Sequence, residues 1–369
     1  MLRDVVPLVA DSSACVTEPS SGRSRRVRLG LVVLIGASTY ALAGTACRRG
    51  EPTASQANAQ VVLYASIDEP TAQPVLDAFR KQTGIGVSVV LDSEAGKTTG
   101  LVNRIIAEAK SGRVRADVFW SGEVFQTIRL AREDLLAAYE VASAADIPHR
   151  FKDAQRRWTG CSLRARVLAY DSARTNPVEL PLRWEDVAAP AFAEHLAIGN
   201  PLFGTTRGHV ASMFTAWGVE RGRTFLTRIH ESGALIVDGN SAAVRAVLEG
   251  RARFAITDSD DVWLARTVLP TLSAAYPDLG DGGTLLIPCS VALIRGGPNP
   301  DGGRKLMEFL ASSEVERMLA RSEARFIPVR DALREELGIK LPPASTIPFD
   351  AVADNMDDAM QGIREILVR

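Results

Sequence analysis

The chain has 369 residues, with 43 Lys and Arg against 44 Asp and Glu, a formal net charge of −1. That balance excludes an electrostatic footprint for nucleic acid or an anionic membrane surface, and 46% hydrophobic residues give enough apolar surface for two cored lobes.

The N-terminus differs in character from the rest of the chain. Arg23, Arg25, Arg26 and Arg28 precede an apolar segment that begins at Leu29 and runs into small residues up to Cys47, the layout of a secretory signal peptide over 1–46. Gly44-Thr45-Ala46-Cys47 is a lipobox-like ending that would make Cys47 a lipid-bearing first residue. Ala41-Leu42-Ala43 offers ordinary cleavage instead, and both remain open. Residues 47–59, polar and small, form a flexible tether. Export leaves Cys161 and Cys289 outside the cytoplasm, where they could form a disulfide or stay as two buried free thiols.

From Val61 the pattern alternates strand and helix. "VVLYAS" is an apolar β run. Pro70 suits a first helical turn, and the helix stops at Gly84. "GVSVVL", a helix over "TGLVNRIIAEAKSG" and the strand "ADVFW" complete βαβαβ, hence a parallel sheet. Helices reach to about Tyr139, and a loop region continues to Trp158. "TGCSLRARVLAY" reads as one long strand. "HLAIGNP", helices from Thr206 and Glu220, "ALIVDGN", a helix from Ser241 and "RFAITD" repeat the alternation. "GTLLIPCSVALIRGG" is a second long strand, followed by a helical pair that runs to Arg330. The fold class is α/β: two lobes, 60–162 plus 286–335 and 163–285 plus 336–369, hinged on the two long strands.

The chemistry sits at strand-to-helix turns. Gly96-Lys97-Thr98 resembles the end of a phosphate loop, but the first glycine of that motif is Leu91 here, inside a strand, so the NTPase reading fails. What survives is a helix start at a strand's C-terminal end, where ligands of α/β sheets gather. Ser66, Asp68 and Glu69 follow the first strand and Ser121 the third; Gly204, Thr205 and Thr206, then Asn240 and Ser241, precede later helices. Asp258, Asp260 and Asp261 crowd three carboxylates into four residues, a cluster suited to a cation. The plainer reading is that Ser, Thr, Asp and Asn before helices are N-caps, each worth roughly 1 kcal/mol. No enzyme constellation competes: the four His have no ligand spacing, and there is no G-x-S-x-G elbow.

The stretches "VVLYASIDEP", "AFRKQTGIGV", "ADVFW", "RARVLAYD", "GNSAAVRAVLEGRARFAITD" and "GRKLMEFLASSEVERML" occur in an order and spacing that resemble solute-binding proteins of bacterial ABC uptake systems, in the branch containing the ferric-iron-binding proteins. The resemblance spans about Gln60 to Arg330. It implies a two-lobed type II periplasmic-binding fold, no catalysis and no cofactor, a monomer working with a permease and its ATPase, and a ligand held between the lobes. It puts Asp68 where iron binders often have His, and Arg164 and Asn240 where they hold a synergistic anion. The adjacent tyrosines that ligate iron in that branch are Ser259 and Asp260 here, while Tyr64, Tyr139, Tyr170 and Tyr276 lie elsewhere.

Physically, Arg164, Thr205, Thr206, Asn240 and two helix N-termini suit an anion. Asp68, Asp260 and Asp261 suit a hard metal or an ammonium. Two ligands fit that bipolar cleft: ferric iron or a related metal complex with an anion, or a small zwitterion such as 2-aminoethylphosphonate. A sensor that signals through the same fold is the alternative of another class.

Overall fold

β1 (Val61–Ala65), the helix α1 (Glu69–Thr83), β2 (Val87–Leu91), α2 (Thr99–Lys110) and β3 (Val118–Ser121) form the expected βαβαβ unit, with β1 paired in parallel to both β2 and β3. These strands are short apolar runs because helices cover the sheet. Gly84 ends α1 at φ 70°, where a Cβ is penalised. A computed structural model describes residues 60–92 and 98–367. The signal segment, the tether with Cys47, and Gly96-Lys97 lie outside the described residues.

After α3 (Phe125–Arg132) and the short β4 (Leu136–Ala137), β5 (Thr159–Asp171) crosses the molecule. Then come α4 (Pro190–Ala193), β6 (Leu196–Gly199), α5 (Gly204–Trp217), α6 (Val219–Glu231), β7 (Leu235–Val237), α7 (Asn240–Leu248) and β8 (Phe254–Asp258). The helix α8 (Ser259–Ala265), β9 (Leu272–Ala275), β10 (Leu286–Ile294), α9 (Pro300–Leu310), α10 (Ser313–Arg321), α11 (Asp331–Glu336), α12 (Phe349–Asp354) and α13 (Met356–Ile366) complete the order.

The sheet runs β2-β1-β3-β10-β5-β8-β6-β7, with β4 on β10 and β9 on β5. β10 is antiparallel to β3 and β5, and β5 is antiparallel to β8; β8, β6 and β7 are mutually parallel. The central pair therefore joins two parallel sets whose C-terminal strand ends bear the polar turns. Pro288 sits inside β10 without breaking it. The β5 register shifts at Cys289/Ser290, and β3 pairs only from Ser290 onward, so no ladder donor is missed there. The described residues fall in one compact unit. Within it α13 packs on α5 and α6, and α12 on α5 and α3. No helix among the described residues is long and apolar enough to cross a membrane.

Candidate functional site

The turns after β1, β3, β6, β7 and β8 converge on one cavity of about 50 Å³, room for on the order of a few water-sized groups. From the first parallel set come Ser66, Asp68, Thr98, Gly122 and Glu123; from the second come Asn200, Phe203 to Thr206, and Asp238 to Ser241. Arg164, on the crossing strand, and Asp260 and Asp261, at the start of α8, complete the wall. Gly204 adopts φ +56°, which a side chain would resist, and begins α5 there. In α2 the Asp92 carboxylate accepts from the Leu101 amide at 3.1 Å, while the starts of α1, α5 and α7, at Asp68, Phe203 and Gly239, have no side-chain cap. Their first-turn amides, with the positive helix ends, favour a negative group in the cavity.

The hydroxyl of Ser66 accepts hydrogen bonds from the Gly122 amide (2.9 Å) and the Thr98 hydroxyl (3.1 Å), tying three loops of the first set together. In the second set Thr206 donates to the Asn240 carbonyl at 3.0 Å, and Asn240 donates to Thr205 at 2.8 Å.

Asp258 does not face the cavity. It is fully buried and accepts from Arg166 at 2.7 Å, Thr205 at 2.5 Å and Asn240 at 2.8 Å. It also caps α8 reciprocally with Asp261. An aspartate saturated with donors on both oxygens supports the wall from behind and has little left for a ligand. Arg166, which the sequence reading passed over, is the buried centre of this network. The strand period held the signal: residues two apart on β5 share a face, so Arg164 brings Arg166 with it.

Arg164 lines the cavity, but its guanidinium is already engaged there. It stands against the carboxylates, with Nε 3.6 Å from Asp260 and Nη1 3.5 Å from Asp258. Burial opposes its charge, but Asp260, Asp258 and Asp68 outweigh that and hold its pKa well above the usual value. Burial pushes Asp260 up to about 8, helped by Asp261 and Asp258 and opposed by Arg164. Its Oδ1 is buried without a hydrogen-bond partner. Burial likewise raises Glu123 to about 7 against the Gln126 and Phe125 amides and the charges of Arg207 and Arg164. Asp258, Asp260 and Asp261 each offer an oxygen within 4.8 Å of the others, although Asp258 is committed to Arg166.

Glu69 is an exposed first-turn residue of α1 and does not line the cavity. Ser121 turns its hydroxyl onto the Glu123 backbone instead. Cys161 and Cys289 are buried free thiols: opposite Cys289 on β5 stands Ser162, so a disulfide is not formed. Gly122, Glu123, Asn200, Phe203, Asp238 and Gly239 complete the lining; the sequence places their turns beside the ligand but does not single them out as site residues. A strand-to-helix turn admits its whole length to a cavity, whereas composition alone marks only its polar caps.

Residues 60–322 match the family described as bacterial extracellular solute-binding protein. The major ferric iron-binding protein of Neisseria meningitidis serogroup A is 25% identical over 294 residues, 78% of this chain and 85% of that one. A putative 2-aminoethylphosphonate-binding periplasmic protein of Salmonella typhimurium is 26% identical over 265 residues, 68% and 71% of the two chains. The ferric binding protein from Campylobacter jejuni superposes with a TM-score of 0.76 at 20% identity, covering 84% of this chain and 99% of that one. The fold is the two-lobed type II periplasmic-binding arrangement, with β5 and β10 as the crossing strands. The chain belongs to the bacterial extracellular solute-binding proteins, a family that binds solutes and does not transform them.

Proposed function

We propose that this protein is the extracytoplasmic capture component of an ABC-type uptake system, delivering its ligand to a permease and its ATPase. It closes around the ligand by hinging at β5 and β10, with 60–162 plus 286–335 as one lobe and 163–285 plus 336–369 as the other. Cys47, if it keeps the lipobox ending, tethers it to the outer face of the membrane. The cargo is a hard metal ion taken with an oxyanion, ferric iron with a synergistic anion being the case that the relatives' names favour.

One observation carries this reading: a single small cavity joins carboxylates, among them the unpartnered Oδ1 of Asp260, to the uncapped starts of α5 and α7. The first set of groups takes a cation and the second an anion. A carboxyl raised by burial keeps its proton until a metal replaces it, so capture releases protons. Among the described residues no tyrosine lines the cavity, so Asp68, Asp260 and Asp261 would supply the oxygen ligands.

The same lack of tyrosine favours a second reading, a small zwitterion whose ammonium meets Asp260 and Asp261 and whose phosphonate meets α5 and α7. Isothermal titration of metal-stripped protein with ferric citrate and with 2-aminoethylphosphonate separates the two. The metal reading expects heat from the first only, with Asp260→Ala and Arg164→Ala each weakening it by about 1–3 kcal/mol. Asp278→Ala, whose carboxylate holds the Gly280 and Gly282 amides away from the cavity, should bind as the parent does. Silence toward every metal would remove the iron reading.

A further inference from the structure

A second cavity, about 510 Å³, opens between α3, α5, α12 and α13. Four arginines line it: Arg129 and Arg132 from α3, Arg207 from α5 and Arg364 from α13. Two carboxylates share its wall, Glu133 and Asp357. Arg129 is paired with Glu133 at 3.1 Å, and Arg132 with Asp354 at 2.8 Å. Among the described residues, neither Arg207 nor Arg364 has a carboxylate within ion-pair distance; the Nε of Arg207 is spent on the thioether of Met356. Burial lowers the Arg207 pKa, and the like charges of Arg129 and Arg364 lower it further against Glu123 and Asp357. Gln126, 3% exposed, closes the inner end with its Oε1 lacking any hydrogen-bond partner.

We infer that this cavity is a second ligand site, distinct from the cleft, for a small oxyanion bearing two or more negative charges. Two guanidiniums on one cavity without carboxylate partners, those of Arg207 and Arg364, are costly to hold beside two that are paired, and forked donors match carboxylate or phosphoryl oxygens in pairs. The volume exceeds what a single phosphate fills and accommodates a tricarboxylate or a pyrophosphate. The Gln126 amide, which can present either end, serves a ligand hydroxyl or a further oxygen.

Citrate titrated calorimetrically into the full chain, stripped of metal, tests the site. Four proteins are compared: the parent, Arg207→Gln, Arg364→Gln and Ser241→Asp. Arg364 is exposed, so its replacement leaves folding intact. Ser241→Asp places a negative charge in the cleft wall beside Asp261, whose carboxylate accepts from Ser241 at 3.2 Å, so that an oxyanion is repelled from the cleft. The parent and Ser241→Asp should bind citrate alike, while Arg364→Gln and Arg207→Gln weaken it about tenfold or more. No citrate heat in the parent, parental affinity in both arginine variants, or loss of the event in Ser241→Asp would each overturn the site.

Discussion

Arg166 and Glu123 are two of the buried ionisable groups on which the cleft is built, and each carries a cost that the fold accepts. Arg166 has no exposed surface, and its Nη1 serves Asp258, Thr205 and Asn240 while Nε and Nη2 find no partner. A buried ion pair contributes little net stability; what this one provides is the placement of Thr205 and Asn240 beside the starts of α5 and α7. Glu123 accepts from the Phe125 amide at 2.6 Å and is held near pKa 7 by burial. A carboxyl raised in the folded state binds its proton more tightly there than in the unfolded chain. Between about pH 4.5 and 7 the unfolded chain has lost that proton while the folded one retains it, so stability falls as pH rises. The full effect is roughly 3 kcal/mol, absent below the window and complete above it. Burial shifts Glu316 the same way, to about 7. Urea denaturation at pH 5 and pH 8 should show parent protein weaker at pH 8 and Glu123→Gln with a smaller drop; equal drops would dismiss Glu123 as a source. At this scale the polar loop residues were legible, since they are few and sit at strand ends. Their pairings were not, because whether Arg164 faces a ligand or Asp260 depends on a contact between residues far apart in the chain.

Helices explain why the plain capping reading and the binding reading competed, and why each won in places. "TDSDD" is a helix start: Asp258 and Asp261 form a capping box and α8 runs on from it. That D-x-x-D spacing was visible, but the carboxylate cluster drew the cation reading first. The starts of α1, at Asp68, and of α7, at Gly239-Asn240, are equally cap-like in sequence but lack a side-chain cap, as a site for an anion requires, whereas the Asp92 carboxylate takes the Leu101 amide in the first turn of α2. The α/β alternation was legible because Pro70 and Gly84 punctuate its first unit; the small helices from Asp331 onward have no comparable start signal. Helix packing also sets how closely the walls approach. Gly208 on α5 lies under Phe125 of α3, and a Cβ there would meet the ring at 2.2 Å. Phe125 in turn lies edge-on to Phe349 of α12, 6.2 Å between centroids. Gly208→Ala therefore has to push α3 from α5, at a cost on the order of 1–3 kcal/mol. Because the ring bridges the two parallel sets, the strain falls on closure. Small-angle scattering should show a ligand-loaded Gly208→Ala with a larger radius of gyration than the loaded parent, and identical radii would mean that the ring finds another rotamer.

Across the whole molecule, β5 and β10 are the central strands on which the proposed closure would hinge, and the two described thiols report on them. Cys161 and Cys289 are both fully buried, and burial raises each thiol above its ordinary pKa. Cys289 sits behind the site itself, 3.5 Å from the Gly122 carbonyl. Neither forms a nucleophilic thiolate in the folded protein, and neither can be reached without opening the sheet at its centre. Closing and opening about the hinge bends these strands without separating them, so ordinary ligand exchange should leave the thiols silent. Unreduced full-length protein should expose two more reactive thiols in guanidinium than in native buffer. Native labelling of those two should track global unfolding, and a cleft ligand at about a hundred times its Kd should slow it about a hundredfold, since ligand excludes the unfolded state by mass action. Fast native labelling that ligand does not slow would show that the sheet opens locally at its centre. The crossing strands would then be yielding elements, and the lobes would move by breaking the β5–β10 ladder and not by flexing it.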